Sequence, residues 1–77
     1  MKKVIVYSTP SCVYCRMLKD WLTDNKIFFT DYDLSSDHQK ADEMIKKTGQ
    51  MGVPIIEVDE EIIIGFDRKR LEELLEI

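Results

Sequence analysis

Two cysteines, Cys12 and Cys15, stand one helical turn apart where an apolar strand segment meets an amphipathic helical segment, and that junction constrains both fold and chemistry. Val4-Ile5-Val6-Tyr7 is β-branched and aromatic and reads as a short buried strand, and Ser8-Thr9-Pro10-Ser11 after it reads as a loop. The cysteines therefore open a helix. Unpaired N–H groups and the helix dipole at such a start favour negative charge, so they favour the thiolate of Cys12, the form that attacks disulfides. Cys15 follows three residues later on the same face. There it can attack a mixed disulfide formed on Cys12 and release the substrate reduced.

Two other readings of the pair are weaker. A structural bridge over so short a loop gains only about 2 kcal/mol, which is little for a whole domain. As a metal site, two cysteines and the single histidine, His38, fall short of four ligands unless carboxylates or a second subunit complete the set.

At 77 residues the chain has room for one domain, residues 1–77, and 44% hydrophobic content suffices for its core without disulfide staples. Met1-Lys2-Lys3 leads directly into the first strand, with no apolar signal region and no run long enough to span a membrane, so a cytoplasmic protein is expected. In that compartment a CxxC pair is normally kept reduced, which suits a reductant. A net charge of −4 argues against a nucleic-acid partner, because phosphate binding needs a basic face.

Along the chain Tyr14, Met17, Leu18, Trp21 and Leu22 recur at helical spacing, giving a helix over roughly residues 12–24 with Asn25 as its stop. Residues 27–32, Ile-Phe-Phe-Thr-Asp-Tyr, read as a second strand. Ser35 or Ser36 is the expected cap of a second helix carrying Ala41, Met44 and Ile45 on one face and ending near Lys47, with Gly49 beyond. Residues 54–58 and 61–64 are strands flanking Asp59-Glu60, a hairpin spacing without the usual glycine. Asp67 is a good cap for a last helix that turns Leu71, Leu74 and Leu75 inward and exposes Arg68-Lys69-Arg70. Trp21, Met17, Phe28 and Phe29 are read as core, and Met51 as a loop residue beside the Gly52-Val53-Pro54 segment. The order β-α-β-α-β-β-α defines an α/β fold: a right-handed βαβ unit, then a hairpin and a closing helix, with one four-stranded mixed sheet and helices on both faces. A CxxC after the first strand of such a unit reads as a thioredoxin-like redox motif.

With these motifs in view, the chain resembles the glutaredoxin family in its small, NrdH-type branch, over essentially all of its length. The resemblance rests on three segments in order: Tyr7 to Cys15 with its Cys-Val-Tyr-Cys, Gly52-Val53-Pro54, and Gly65-Phe66-Asp67. It implies a thioredoxin-like fold, Cys12 as nucleophile, Cys15 as resolving thiol, and a cis Val53–Pro54 bond that sets the Val53 backbone beside the Cys12 sulfur for pairing with substrate. It also implies a thiol–disulfide oxidoreductase acting on protein or glutathione mixed disulfides. Such an enzyme needs no bound cofactor, takes electrons from glutathione or thioredoxin reductase, and is expected to act as a monomer. A metal or iron–sulfur carrier using Cys12 across a dimer is the alternative that the resemblance leaves open.

Departures from the family bear on the reductant. Glutathione-using glutaredoxins commonly carry a basic residue three places before the first cysteine, where this chain has Thr9. In place of a Gly-Gly-Cys-Asp type segment it has Ile64-Gly65-Phe66-Asp67. Gly-Phe resembles NrdH-type redoxins, which accept electrons from thioredoxin reductase, whereas Asp67 resembles the glutathione-binding branch; as a plain helix cap it needs neither. Val13 replaces a frequent proline and adds an N–H at the helix start. Tyr14 either covers the site with its ring or simply packs, and Arg16 and Lys19 bring positive charge close to Cys15.

Overall fold

Val4 and Val6 point to one side of the first strand, β1 (Val4–Ser8), while Ile5 and Tyr7 point to the other, so this strand needs cover on both faces and receives it. The structure, a computed structural model, describes residues 3–50 and 52–76; Met51 lies outside the described residues. The remaining elements are α1 (Val13–Asp24), β2 (Thr30–Asp33), α2 (His38–Thr48), β3 (Ile55–Val58), β4 (Glu61–Ile64) and α3 (Arg68–Leu75). The sheet order is β2-β1-β3-β4, with β1 parallel to β2 and antiparallel to β3, and β3 antiparallel to β4. The element order and the mixed four-stranded sheet are those the sequence implies.

Leu18 and Leu22 of α1 and Leu71 of α3 pack with Val4, Val6, Ile56, Val58 and Ile63 on one face. On the other face Met44 of α2 packs with Tyr7, Ile55 and Leu34. Each large aliphatic side chain buried this way contributes about 1.5–3 kcal/mol. On β4, which lies at the sheet edge, Ile63 faces the core while Ile62 and Ile64 stay exposed.

Four local expectations are corrected. β1 runs through Ser8, which is only 1% exposed and pairs in register with Asp33, so Ser8 is strand rather than loop. β2 begins at Thr30 rather than at Ile27, because α1 ends in a Schellman turn. There the Ile27 N–H donates to the Leu22 carbonyl (2.9 Å), the Lys26 N–H donates to the Thr23 carbonyl (3.0 Å), and Lys26 takes a left-handed φ of 58°. Helix α2 is capped by Asp37, not by Ser35 or Ser36: both serines are engaged by Asp33, whose carboxylate accepts from the Ser35 N–H (3.0 Å) and hydroxyl (2.6 Å) while its carbonyl accepts from Ser36 Oγ (3.3 Å). Finally, Met17 and Phe28 are exposed. The buried stripe of α1 is Cys15-Leu18-Leu22, which leaves Tyr14 and Met17 on a neighbouring stripe that only Trp21 continues inward, edge-on to Phe66 at 6.2 Å.

The two-residue hairpin is present with Asp59 at φ 56°, where glycine is usual. Asp59 is held there by Lys3. Its N–H donates to the Lys3 carbonyl (2.8 Å) and its carboxylate accepts from the Lys3 N–H (2.9 Å).

Candidate active site

The parallel β1–β2 pair ends at Ser8 and Asp33, and the chain leaves β1 through Thr9-Pro10-Ser11 to reach α1. The turn is closed by the Cys12 N–H donating to the Thr9 carbonyl at 3.2 Å. Cys12 is the N-cap of α1, with extended backbone (φ −85°, ψ 112°), and its Sγ accepts the Cys15 N–H at 3.1 Å. A cap position is usually filled by Ser, Thr, Asp or Asn, whose oxygen accepts this bond. Here a sulfur does so, and an orphan donor of the helix start points at the reacting atom.

Both thiols are free and differ in setting: Cys12 is half-buried, whereas Cys15 has no solvent exposure. Burial first, and then the hydrogen bond and charge of Cys12, push the Cys15 thiol up to about 12 from its ordinary 9.0; the Thr9 backbone and the Lys19 ammonium pull it back in part. One sulfur is open to an incoming disulfide, and the other is protected and protonated behind it.

The other site residues expected from sequence fall at different distances from this pair. The Val53–Pro54 peptide is cis, and the Cys12 thiol points at the Val53 carbonyl with Sγ 3.9 Å from the oxygen. Pro54 is buried, and its carbonyl accepts the Gly65 N–H at 2.8 Å. Gly65 therefore sits against this segment, at φ 85°, a left-handed value that favours glycine. Tyr14 stands 64% exposed between the cysteines, so its ring is not packed into the core. The Asp67 carboxylate accepts the Arg70 N–H at 3.1 Å as the cap of α3. Thr9, Pro10, Cys12, Arg16, Lys19 and Asp20 line a cavity of about 370 Å³ beside the nucleophile. A hollow of about 610 Å³ lined by Thr23, Lys26, Ile27, Phe28 and Phe29 belongs to the far end of α1 and contains no thiol.

Two residues that the sequence did not single out join this region. The Ser8 hydroxyl donates to Asp31 Oδ1 at 2.6 Å, and Asp31 Oδ2 pairs with Lys19 Nζ at 3.0 Å. Among the described residues no three His, Cys, Asp or Glu side chains are grouped as metal ligands.

A four-stranded mixed sheet with a helix-capping cysteine pair and a cis-proline segment facing it defines a thioredoxin-like redox protein. A solved structure of a mutant of the thioredoxin-like protein BC3987 superposes with a TM-score of 0.93 at 28% identity, covering 100% of this chain and 99% of that one. Residues 4–63 match the Glutaredoxin family model, and the chain belongs to the glutaredoxin family. An uncharacterised glutaredoxin-like 8.6 kDa protein in the rubredoxin operon of Clostridium pasteurianum is 37% identical over 71 residues, spanning 92% of this chain and 95% of its own. The glutaredoxin-like protein NrdH of Lactococcus lactis subsp. cremoris is 30% identical over 71 residues, with 92% and 97% covered.

Proposed function

We propose that this protein is a dithiol thiol–disulfide oxidoreductase. Glutaredoxins are generally such enzymes, and one observation carries the reading to this chain. A half-buried Cys12 sulfur at a helix N-terminus accepts the N–H of Cys15, whose own thiol is sequestered behind it. In the first step the Cys12 thiolate attacks a substrate disulfide, forming a mixed disulfide and expelling one substrate thiolate. In the second, Cys15 loses its proton and attacks the Cys12 sulfur, forming the Cys12–Cys15 disulfide and expelling the other thiolate. The substrate gains two electrons and the protein loses two. The Val53 carbonyl, beside Cys12, offers a backbone partner to the substrate segment flanking its disulfide. Gly65 supports that segment through Pro54, and Tyr14 offers an exposed ring to the same partner.

The cycle needs no bound cofactor, and a monomer suffices for it. Electrons return from glutathione or from thioredoxin reductase. The cap bond already engaging the Asp67 carboxylate, Thr9 in place of a basic residue, and the likeness to NrdH all favour the reductase. The test follows NADPH oxidation with a small disulfide substrate, comparing glutathione plus glutathione reductase against thioredoxin reductase, with Cys12→Ser as the blank. Turnover with thioredoxin reductase alone is expected. Turnover with glutathione alone would overturn the choice of reductant and give Asp67 a ligand role, and no turnover with either would overturn the oxidoreductase reading.

A further inference from the structure

In the resolving step Cys15, which has no solvent exposure of its own, must lose a proton, and what stabilises the resulting charge is a separate question from what activates Cys12. Lys19 lies four residues after Cys15 on α1, so the two share a helix face. Helical side chains lean toward the N-terminus, which carries the Lys19 stem back over the turn that holds Cys15. Its ammonium is fixed at the end of that path. Nζ is 3.0 Å from Asp31 Oδ2 and 3.4 Å from Ser8 Oγ, and the Ser8 hydroxyl is committed to the other carboxylate oxygen at 2.6 Å. Ser8 is buried at the end of β1, immediately before the turn to the cysteines, while Lys19 and Cys12 line one cavity. The arrangement ties β1, β2 and α1 together at the thiols, and an exposed, unpinned lysine would not be held over the site.

We propose that Lys19, held in place by Asp31 and Ser8, supplies the fixed positive charge that stabilises the Cys15 thiolate as it attacks the mixed disulfide on Cys12. Lys19 is a positioning residue for the charge on Cys15, and Ser8 and Asp31 position Lys19. The proton of Cys15 passes to solvent through the cavity beside Cys12, the Cys15–Cys12 bond forms, and the substrate thiolate leaves with the electron pair of the broken Cys12–substrate bond. The charged groups that share the Cys12 cavity are Arg16, Lys19 and Asp20 from α1, and Asp31 from β2 joins them through its ion pair with Lys19. β1 contributes only the neutral Ser8 hydroxyl, since Tyr7 lies on the opposite sheet face, and the Val53–Pro54 segment contributes none.

This inference rests on the reading of Cys15 as the resolving thiol, and one experiment separates the two. Reduced protein mixed rapidly with excess dithiobis-nitrobenzoate should release thionitrobenzoate in two phases. The first scales with reagent, as Cys12 attacks; the second is first-order and independent of reagent, as Cys15 displaces the label. In Lys19→Met the second phase is expected to slow by about threefold at neutral pH for each unit by which Cys15 is harder to ionise, because a tenfold smaller thiolate fraction is partly offset by a more nucleophilic thiolate. Lys19→Arg, which keeps the positive charge, should restore the rate. An unchanged second phase in Lys19→Met, or one that is slowed and not restored by Lys19→Arg, would overturn the role of Lys19. A second phase that survives in Cys15→Ser would instead overturn the resolving role of Cys15.

Discussion

The start of α1 and the starts of α2 and α3 are built alike and do different things. In each, the N-cap side chain accepts the N–H three residues on at 3.1 Å: Cys12 from Cys15, Asp37 from Lys40, Asp67 from Arg70. At α2 and α3 the acceptor is a carboxylate that closes the helix. At α1 it is a sulfur that becomes a nucleophile when charged, with a second thiol buried behind it and a backbone carbonyl in front. On the proposed reading, the reactivity of this cap comes from the atom placed in it and from the neighbours that atom is given, among them the cis Val53–Pro54 segment.

Replacing the atom tests this most strongly. Cys12→Ser keeps an oxygen acceptor at the cap, so disulfide reduction should be abolished while the thermal midpoint stays close to that of the parent; a large fall in the midpoint would show that the sulfur is needed for folding as well. The next largest effect is on alkaline stability, through the thiol that the other two helix starts lack. Native Cys15 keeps its proton to about pH 12, whereas the unfolded chain releases it near 9.0. The unfolded state therefore binds fewer protons in that window, and the stability of the reduced protein should fall as pH rises through it. Urea midpoints of parent and Cys15→Ala, compared near neutrality and near pH ~10.5, check the sign: the parent should lose more, and Tyr7, also pushed upward by burial, is common to both.

At the carboxylate caps, Asp37→Ala and Asp67→Ala should each cost about 1 kcal/mol. That is a thermal midpoint lower by roughly 5 °C in a domain of this size, with disulfide exchange at Cys12 unaltered. Asp67→Asn sharpens the contrast, since asparagine caps as well as aspartate: stability should hold, and so should turnover with thioredoxin reductase. The smallest effect lies at the helix ends. Gly49 closes α2 at φ 71°, while Lys26 occupies the left-handed position after α1 at φ 58°. Lys26→Gly should stabilise by about 0.5 kcal/mol by relieving the Cβ crowding there, measurable as a higher urea midpoint.

What the sequence made legible was local chemistry with a periodic frame around it. The cysteine spacing, the two-faced apolar β1 and the Asp67 cap each depend on residues a few positions apart, and each is found where the pattern puts it. The misplaced start of β2 has a physical cause: Ile27-Phe28-Phe29 has strand composition, but a Schellman turn takes the Ile27 N–H before a ladder can use it. The choice of cap on α2 was a competition among neighbours. Asp33 engages both serines, which leaves Asp37 to accept from Lys40. The Ser8–Asp31–Lys19 network was the least legible feature, because it joins three elements, and Asp31 reads alone as an ordinary polar strand residue. The contact of Gly65 with Pro54 likewise emerges only once β4 is laid beside β3, whereas the place of Val53 beside Cys12 is one the family resemblance already implied.

The Asp59–Glu60 turn lies where β1 begins, while the thiols lie where it ends, so the length of the sheet separates them. That polarity provides a handle. A linker attached at the exposed Glu60 would hold the molecule on an electrode or bead with its sulfurs facing outward, and successive electron transfers could then be read from one immobilised layer without the support obstructing the reacting end.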